Sequence, residues 1–90
     1  MTKVSVICFL DGDGTSLLQD SVLKEVKRAF RKRVEFIRID PRENGEIIEK
    51  YGLKEFPSIV IKVDNKVKNV FSGLTQELFL RRALDKILNR

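Results

Sequence analysis

The sequence predicts an α/β domain in the order β-α-β-α-β-β-α, with a central mixed sheet flanked by helices. Three observations predict it: the nearly continuous apolar run KVSVICFL at residues 3–10, apolar residues at helical spacing over residues 17–33, and two β-type runs joined by a short turn at 64–66. Continuous β-branched runs are typical of strands buried on both faces, and a short polar turn between strands is typical of an antiparallel hairpin. A chain of 90 residues supports one small core, so residues 1–90 are expected to form a single domain.

The first half of the chain is expected to form a strand, a helix and a second strand. The first strand runs over residues 3–10 and contains Cys8, whose side chain is expected to be buried. In the helix, Ser16 and Gln19 fit a capping box, in which the Ser hydroxyl accepts a backbone N–H and the Gln side chain reaches back. The residues expected to face the core are Leu18, Val22, Val26, Ala29 and Phe30. The second strand is the alternating segment at residues 34–39.

The break at Asp40-Pro41 leaves two interpretations for the segment after the second strand. Either Asp40 caps a helix with Pro41 at its first position, or the chain loops and Asn44 caps a helix over residues 45–51. The second is preferred, because Gly52 then supplies the C-terminal stop.

The last third is expected to form a hairpin and a helix. The two strands are predicted at residues 58–63 and 67–71, and the helix from Thr75 to about residue 88. The residues expected to face the core from this helix are Leu78, Ala83, Leu84, Ile87 and Leu88.

Composition predicts a soluble, cytoplasmic protein. Hydrophobic residues make up 42% of the chain and charged residues 34%, which is ordinary globular composition. No apolar run approaches the roughly 20 residues that a membrane-spanning helix needs. The apolar start ends in DGDG without a small-residue cleavage site, so it is interpreted as a strand rather than a signal peptide.

The sequence contains one cysteine and no histidine. A disulfide within the chain, dithiol chemistry and His-dependent catalysis are therefore excluded for this chain alone. We expect no catalytic residue, no metal site and no cofactor.

Two stretches make the predicted order resemble the thioredoxin-like superfamily. YGLKEFPSIVI at residues 51–61 is similar to the segment in which a short helix leads to a cis-proline and the next strand, and VFSGLT at 70–75 is similar to the family's last strand, glycine and helix start. The resemblance implies a thioredoxin fold with Pro57 as the cis-proline. It also implies a substrate groove between the loop after the first strand and Phe56-Pro57.

In that family the loop carries Cys-x-x-Cys, whereas here residues 11–17 are DGDGTSL. The resemblance therefore implies a redox-inactive module whose groove holds a protein or peptide by strand addition, with Asp11 and Asp13 favouring a basic one. The implied groove residues are Asp11, Gly12, Asp13, Gly14, Thr15, Ser16, Phe56 and Pro57.

The sequence also allows three functions other than peptide binding. The stretch from Asp11 to Thr15 resembles the Asp-x-Asp-Gly-Thr loop of haloacid-dehalogenase-type phosphatases, which implies Mg²⁺-dependent phosphoryl transfer at Asp11 and Asp13, although the later motifs of that family are missing. Single-cysteine redox chemistry at Cys8 would require an exposed thiol. The net charge of +5 allows binding of nucleic acid or an acidic partner through the first helix. The basic face of that helix comprises Lys24, Lys27, Arg28, Arg31 and Lys32.

Overall fold

The apolar and polar runs of the sequence fold into alternating strands and helices in the predicted order. A computed structural model describes residues 2–30 and 32–89. Its elements are β1 (Val4–Phe9), α1 (Gly14–Phe30), β2 (Val34–Ile39), a 3₁₀ turn (Pro41–Glu43), α2 (Gly45–Tyr51), β3 (Ser58–Val63), β4 (Lys66–Ser72) and α3 (Glu77–Leu88). The predicted bounds of β2, α2 and β3 are confirmed.

The strands of residues 2–30 and 32–89 form one four-stranded mixed sheet in the order β2-β1-β3-β4. Strand β1 pairs in parallel with β2 and antiparallel with β3, and β3 pairs antiparallel with β4. Asp64 and Asn65 close the β3–β4 hairpin with φ values of 49° and 70°. Positive φ at both turn residues matches the twist of a two-residue hairpin, and Asn and Asp tolerate it better than most residues. The α/β class and the mixed sheet are thus confirmed.

Helices cover both faces of the sheet. Helices α1 and α3 share a core with β1 and β3 in which Val6, Leu23 and Leu84 are buried, whereas α2 covers the opposite face over Phe9 and Val60. Strand β1 is therefore buried on both sides, which is why its sequence is apolar almost throughout. No helix within residues 2–30 and 32–89 is long and apolar enough to cross a membrane.

The core faces of both long helices differ from the prediction. Leu18 is 60% exposed and Leu78 is 52% exposed, and Ala29 is also exposed. The buried side of α1 instead runs through Ser16, Gln19, Leu23, Val26 and Phe30. In α3, Leu80 is buried, and two residues along a helix turn a side chain by roughly 200°, so Leu78 points away.

Several ends also differ from the prediction. Helix α1 begins three residues earlier than expected, and its predicted end at residue 33 is wrong, because Lys32 and Arg33 form a turn. Asp40 caps the 3₁₀ turn, with Pro41 at its start, which is part of the interpretation that was not preferred. Asn44 does precede α2, but its amide donates to the Asp40 carbonyl at 2.8 Å and makes no cap bond. Helix α3 begins at residue 77 rather than at Thr75.

Candidate functional site

The loop after β1 is held by hydrogen bonds between Asp11, Asp13 and Ser16. The Ser16 hydroxyl donates to Asp11 Oδ1 at 2.7 Å and accepts from the Asp11 backbone N–H at 3.1 Å. The Ser16 backbone N–H donates to Asp13 Oδ1 at 2.9 Å. Asp13 is therefore the capping residue of α1, and the predicted capping role of Ser16 is wrong, because Ser16 lies inside the helix and is buried.

These bonds also set the charge of the loop. The hydroxyl of Ser16 and then the backbone N–H of Asp13 hold the pKa of Asp11 below its ordinary value of 3.8. Asp11 therefore stays ionised through the neutral range. Both carboxylates serve the start of α1, and no group of three potential ligands able to hold a metal ion occurs in the part of the chain that the structure describes.

Gln19 ties α1 to the segment before α3. Its amide Nε2 donates to the Thr75 carbonyl at 3.0 Å, and its Oε1 accepts from the Thr75 backbone N–H at 2.7 Å. Gln19 is completely buried and Thr75 nearly so. The predicted role of Gln19 in a capping box is therefore wrong: its partner lies 56 residues away.

The second side of the predicted groove is the turn before β3. The Phe56–Pro57 peptide bond is cis. The Pro57 carbonyl accepts from the Gly73 backbone N–H at 2.8 Å, and the Ser58 hydroxyl donates to the Glu55 carbonyl. The Pro57 ring is fully buried, so it positions the chain without lining a groove, whereas Phe56 is half-buried. The backbone N–H and C=O of Phe56 make no hydrogen bond with any residue of 2–30 or 32–89.

The structure brings the two sides together in a cleft of about 320 Å³. The residues that line it, here called the peptide cleft, are Asp11, Asp13, Pro41, Arg42 and Phe56. Of the other predicted groove residues, Gly12 is exposed in the loop, Gly14 and Thr15 are the exposed first two residues of α1, and Ser16, the third, is buried.

Arg42 was missed by the sequence analysis. Its Nε donates to Asp40 Oδ1 at 3.0 Å and its Nη2 donates to Asp40 Oδ2 at 2.8 Å, a two-point pairing that holds the guanidinium beside the cleft. A Cβ added to Gly12 would lie 3.7 Å from Arg42 Nη2, so the loop and the arginine are close. The sequence feature that could have identified Arg42 is Asp40-Pro41-Arg42, in which a capping aspartate is followed two residues later by an arginine that can pair with it.

The predicted basic face of α1 is partly neutralised. Lys24 Nζ lies 3.8 Å from Asp20 Oδ2, and Arg28 Nη1 lies 3.7 Å from Glu25 Oε2. Lys27 and Lys32 are exposed, and Arg31 lies outside the described residues. Nucleic-acid binding through this helix stays a prediction.

Cys8 lies in β1 with 2% of its surface exposed, as predicted. Burial raises the pKa of its thiol to about 12, and this effect exceeds the opposing influence of Arg38. Thiolate chemistry requires the deprotonated sulfur, so the folded protein holds Cys8 in its unreactive form near neutral pH.

Solved structures with the same arrangement include thioredoxins. Thioredoxin-2 of the malaria parasite superposes with a TM-score of 0.88 at 16% identity, covering 94% of this chain and 84% of that one. This chain has a thioredoxin fold. The germline-specific thioredoxin Deadhead of Drosophila melanogaster gives 0.86 at 23% identity, covering 96% and 82%. A mutant thioredoxin of Halobacterium salinarum gives 0.82 at 22%, covering 93% and 74%.

No protein-family model and no curated protein sequence matches the chain. At these identities the likeness establishes the thioredoxin fold alone. The fold and the resemblance seen in the sequence agree, and the activity must be argued from the chain's own residues.

Proposed function

We propose that this protein is a redox-inactive module of the thioredoxin fold that binds an extended peptide in the peptide cleft. The observation that carries the proposal is the unpaired backbone of Phe56, whose N–H and C=O have no partner among residues 2–30 and 32–89. A backbone N–H and C=O on one residue form the two-point edge to which an extended peptide adds as a strand. The rest of the turn is held by Pro57, Ser58 and Gly73, so Phe56 is presented on a fixed frame.

The charges around the peptide cleft favour a basic peptide. Asp11 and Asp13 line one wall, and the depressed pKa of Asp11 keeps that carboxylate charged. Arg42 also lines the peptide cleft, close to Gly12, but is already paired with Asp40 in two-point geometry. A Lys or Arg side chain in the peptide would therefore find a carboxylate without displacing an ion pair. The gain from such an exposed pair is about 0.2–1 kcal/mol, enough for preference rather than for affinity.

The chemistry of the thiol supports a non-covalent role. Thiol exchange requires an accessible thiolate, and the chain's sole cysteine lies inside β1 rather than in the loop before α1. Gly14, at the first position of α1, offers no side chain there. Affinity in this proposal comes from backbone pairing and charge alone.

The test begins with selection of binders from a displayed library of random peptides, followed by titration of the nitrogen-labelled protein with a selected peptide. We expect the amide signals of Phe56 and of residues 11–13 to shift, and methylation of one backbone nitrogen in the peptide to abolish binding. An N-methyl scan without effect, or shifts confined to the far end of the sheet, would refute the proposal.

The charge preference is tested with Asp11→Asn/Asp13→Asn, because Asn retains the side-chain oxygen that accepts from the loop. The matched control is Glu49→Gln/Asp85→Asn, which removes as much negative charge at exposed sites on α2 and α3. We expect the first variant to weaken a basic peptide roughly three- to tenfold and the control to leave it unchanged. Equal losses in both would mean that net charge, not the peptide cleft, attracts the peptide.

A further inference from the structure

A second cleft of about 320 Å³ lies between α1 and strand β2, away from the peptide cleft. The residues lining this cationic cleft are Cys8, Asp20, Leu23, Lys24, Lys27, Phe36 and Arg38. Its volume is at the lower end of the range of small-molecule sites, about 300–1,000 Å³. It has an apolar floor and charged walls, the usual composition of a site that orients a small ligand.

The walls carry more positive than negative charge. Asp20 Oδ1 accepts a hydrogen bond from Arg38 Nη2, and Asp20 Oδ2 lies 3.8 Å from Lys24 Nζ. The Asp20 carboxylate therefore forms ion pairs with both Lys24 and Arg38, while Lys27 has no ion-pair partner within residues 2–30 and 32–89. The lining thus holds an excess of about two positive charges, matching a phosphate monoester dianion.

The cations are placed by rigid elements. Lys24 and Lys27 lie three residues apart on α1, so both project from the same helix face. Arg38 faces them from β2, where its Cα pairs in register with that of Cys8. Asp20 accepts from Nη2 of Arg38 only. The Nε and Nη1 donors of Arg38 therefore have no partner among the described residues. Free guanidinium donors beside lysine ammonium groups suit phosphate oxygens.

The floor adds a preference for an apolar group. Phe36 is half-buried and lies beside Leu23 and Cys8, so part of its ring faces the cleft. A planar ring packed there would remove apolar surface from water while its phosphate stays at the charged rim. We infer that the cationic cleft binds a small phosphorylated molecule with a planar apolar part, of the size of a nucleoside monophosphate.

The test is calorimetric and NMR titration of the wild type with adenosine monophosphate, inorganic phosphate and adenosine in low salt. The Lys24→Gln/Lys27→Gln variant is compared with Lys66→Gln/Lys68→Gln, which removes the same charge from β4. We expect the monophosphate to bind more tightly than either fragment and to shift the amides of residues 23–27 and 36–38. The α1 variant should weaken it about tenfold and the β4 variant less than twofold. Equal weakening by both variants, or no binding to the wild type, would overturn the inference.

Two further measurements separate this site from other sources of affinity. Phe36→Leu keeps apolar packing but removes the ring, so it should weaken the monophosphate about threefold and leave inorganic phosphate unchanged. A single-stranded oligonucleotide that binds far more tightly than the monophosphate, with a steep salt dependence and equal losses for α1 and β4 variants, would indicate a diffuse nucleic-acid surface instead.

Discussion

Replacing Gln19 with Leu would break the link between α1 and the segment before α3. Leu has a similar volume but cannot bond, so the buried N–H and C=O of Thr75 would lose partners now at 2.7 and 3.0 Å. An unsatisfied buried backbone group costs about 1–3 kcal/mol, which gives roughly 2–6 kcal/mol for the pair, offset by about 1 kcal/mol from the more apolar side chain.

The expected net loss in the free energy of unfolding is therefore about 3 kcal/mol. For a domain of this size that lowers Tm by roughly 12–24 °C. The assay is urea unfolding followed by circular dichroism, with Tm measured in parallel. Gln76→Leu is the matched control, because Gln76 is exposed and its side chain makes no cap bond to α3. A loss below about 1 kcal/mol for Gln19→Leu, or an equal loss for the control, would refute this account of the link.

Three further predictions concern the thiol, the loop and the helix start. Cys8 should react with iodoacetamide no faster than global unfolding allows, because burial raises its pKa to about 12; rapid alkylation of the native protein would contradict this. The stability advantage of wild type over Asp11→Asn should be full above about pH 5 and should disappear as pH falls through the depressed pKa of Asp11, since Ser16 bonds the charged form; unfolding curves between about pH 2 and 6 measure it. Gly14→Cys/Leu17→Cys places two thiols one turn apart at the exposed start of α1, where a Cβ on Gly14 meets no atom within 4 Å, and should create a disulfide reducible by dithiothreitol. Mass spectrometry showing only free thiols after oxidation would count against that geometry.

Local signals predicted much of the fold. Strand β2, helix α2 and strand β3 were predicted with correct bounds, because alternation, a left-handed glycine at residue 52 and β-branched residues act over a few positions. The start of α1 was wrong because Asp13 and Ser16 are both good capping residues, and only the folded loop shows which side chain accepts the N–H of α1.

Contacts between residues far apart in the sequence could not be predicted from local patterns. Gln19 bonds a residue 56 positions away, and no local pattern distinguishes it from an exposed glutamine. The cationic cleft was not predicted for the same reason. Lys24 and Lys27 were interpreted as part of the basic face of the first helix, and Arg38 comes close to them only because β2 lies beside α1 in the fold. Leu18 and Leu78 were placed inside because helical spacing gives a period and leaves the phase to tertiary packing.

The central position of β1 has a consequence for how the molecule opens. Its backbone is bonded to β2 on one side and to β3 on the other, whereas β2 and β4 are each paired on one side within the described sheet. Each backbone N–H of β1 bonds to one neighbouring strand, and those that bond to β3 meet solvent only when the centre of the sheet separates, which amounts to loss of the whole core. Deuterium uptake at these β1 amides therefore reports global opening, while uptake in β2 reports local fraying beside the cationic cleft. A ligand in that cleft would slow the second rate at concentrations that barely alter the first.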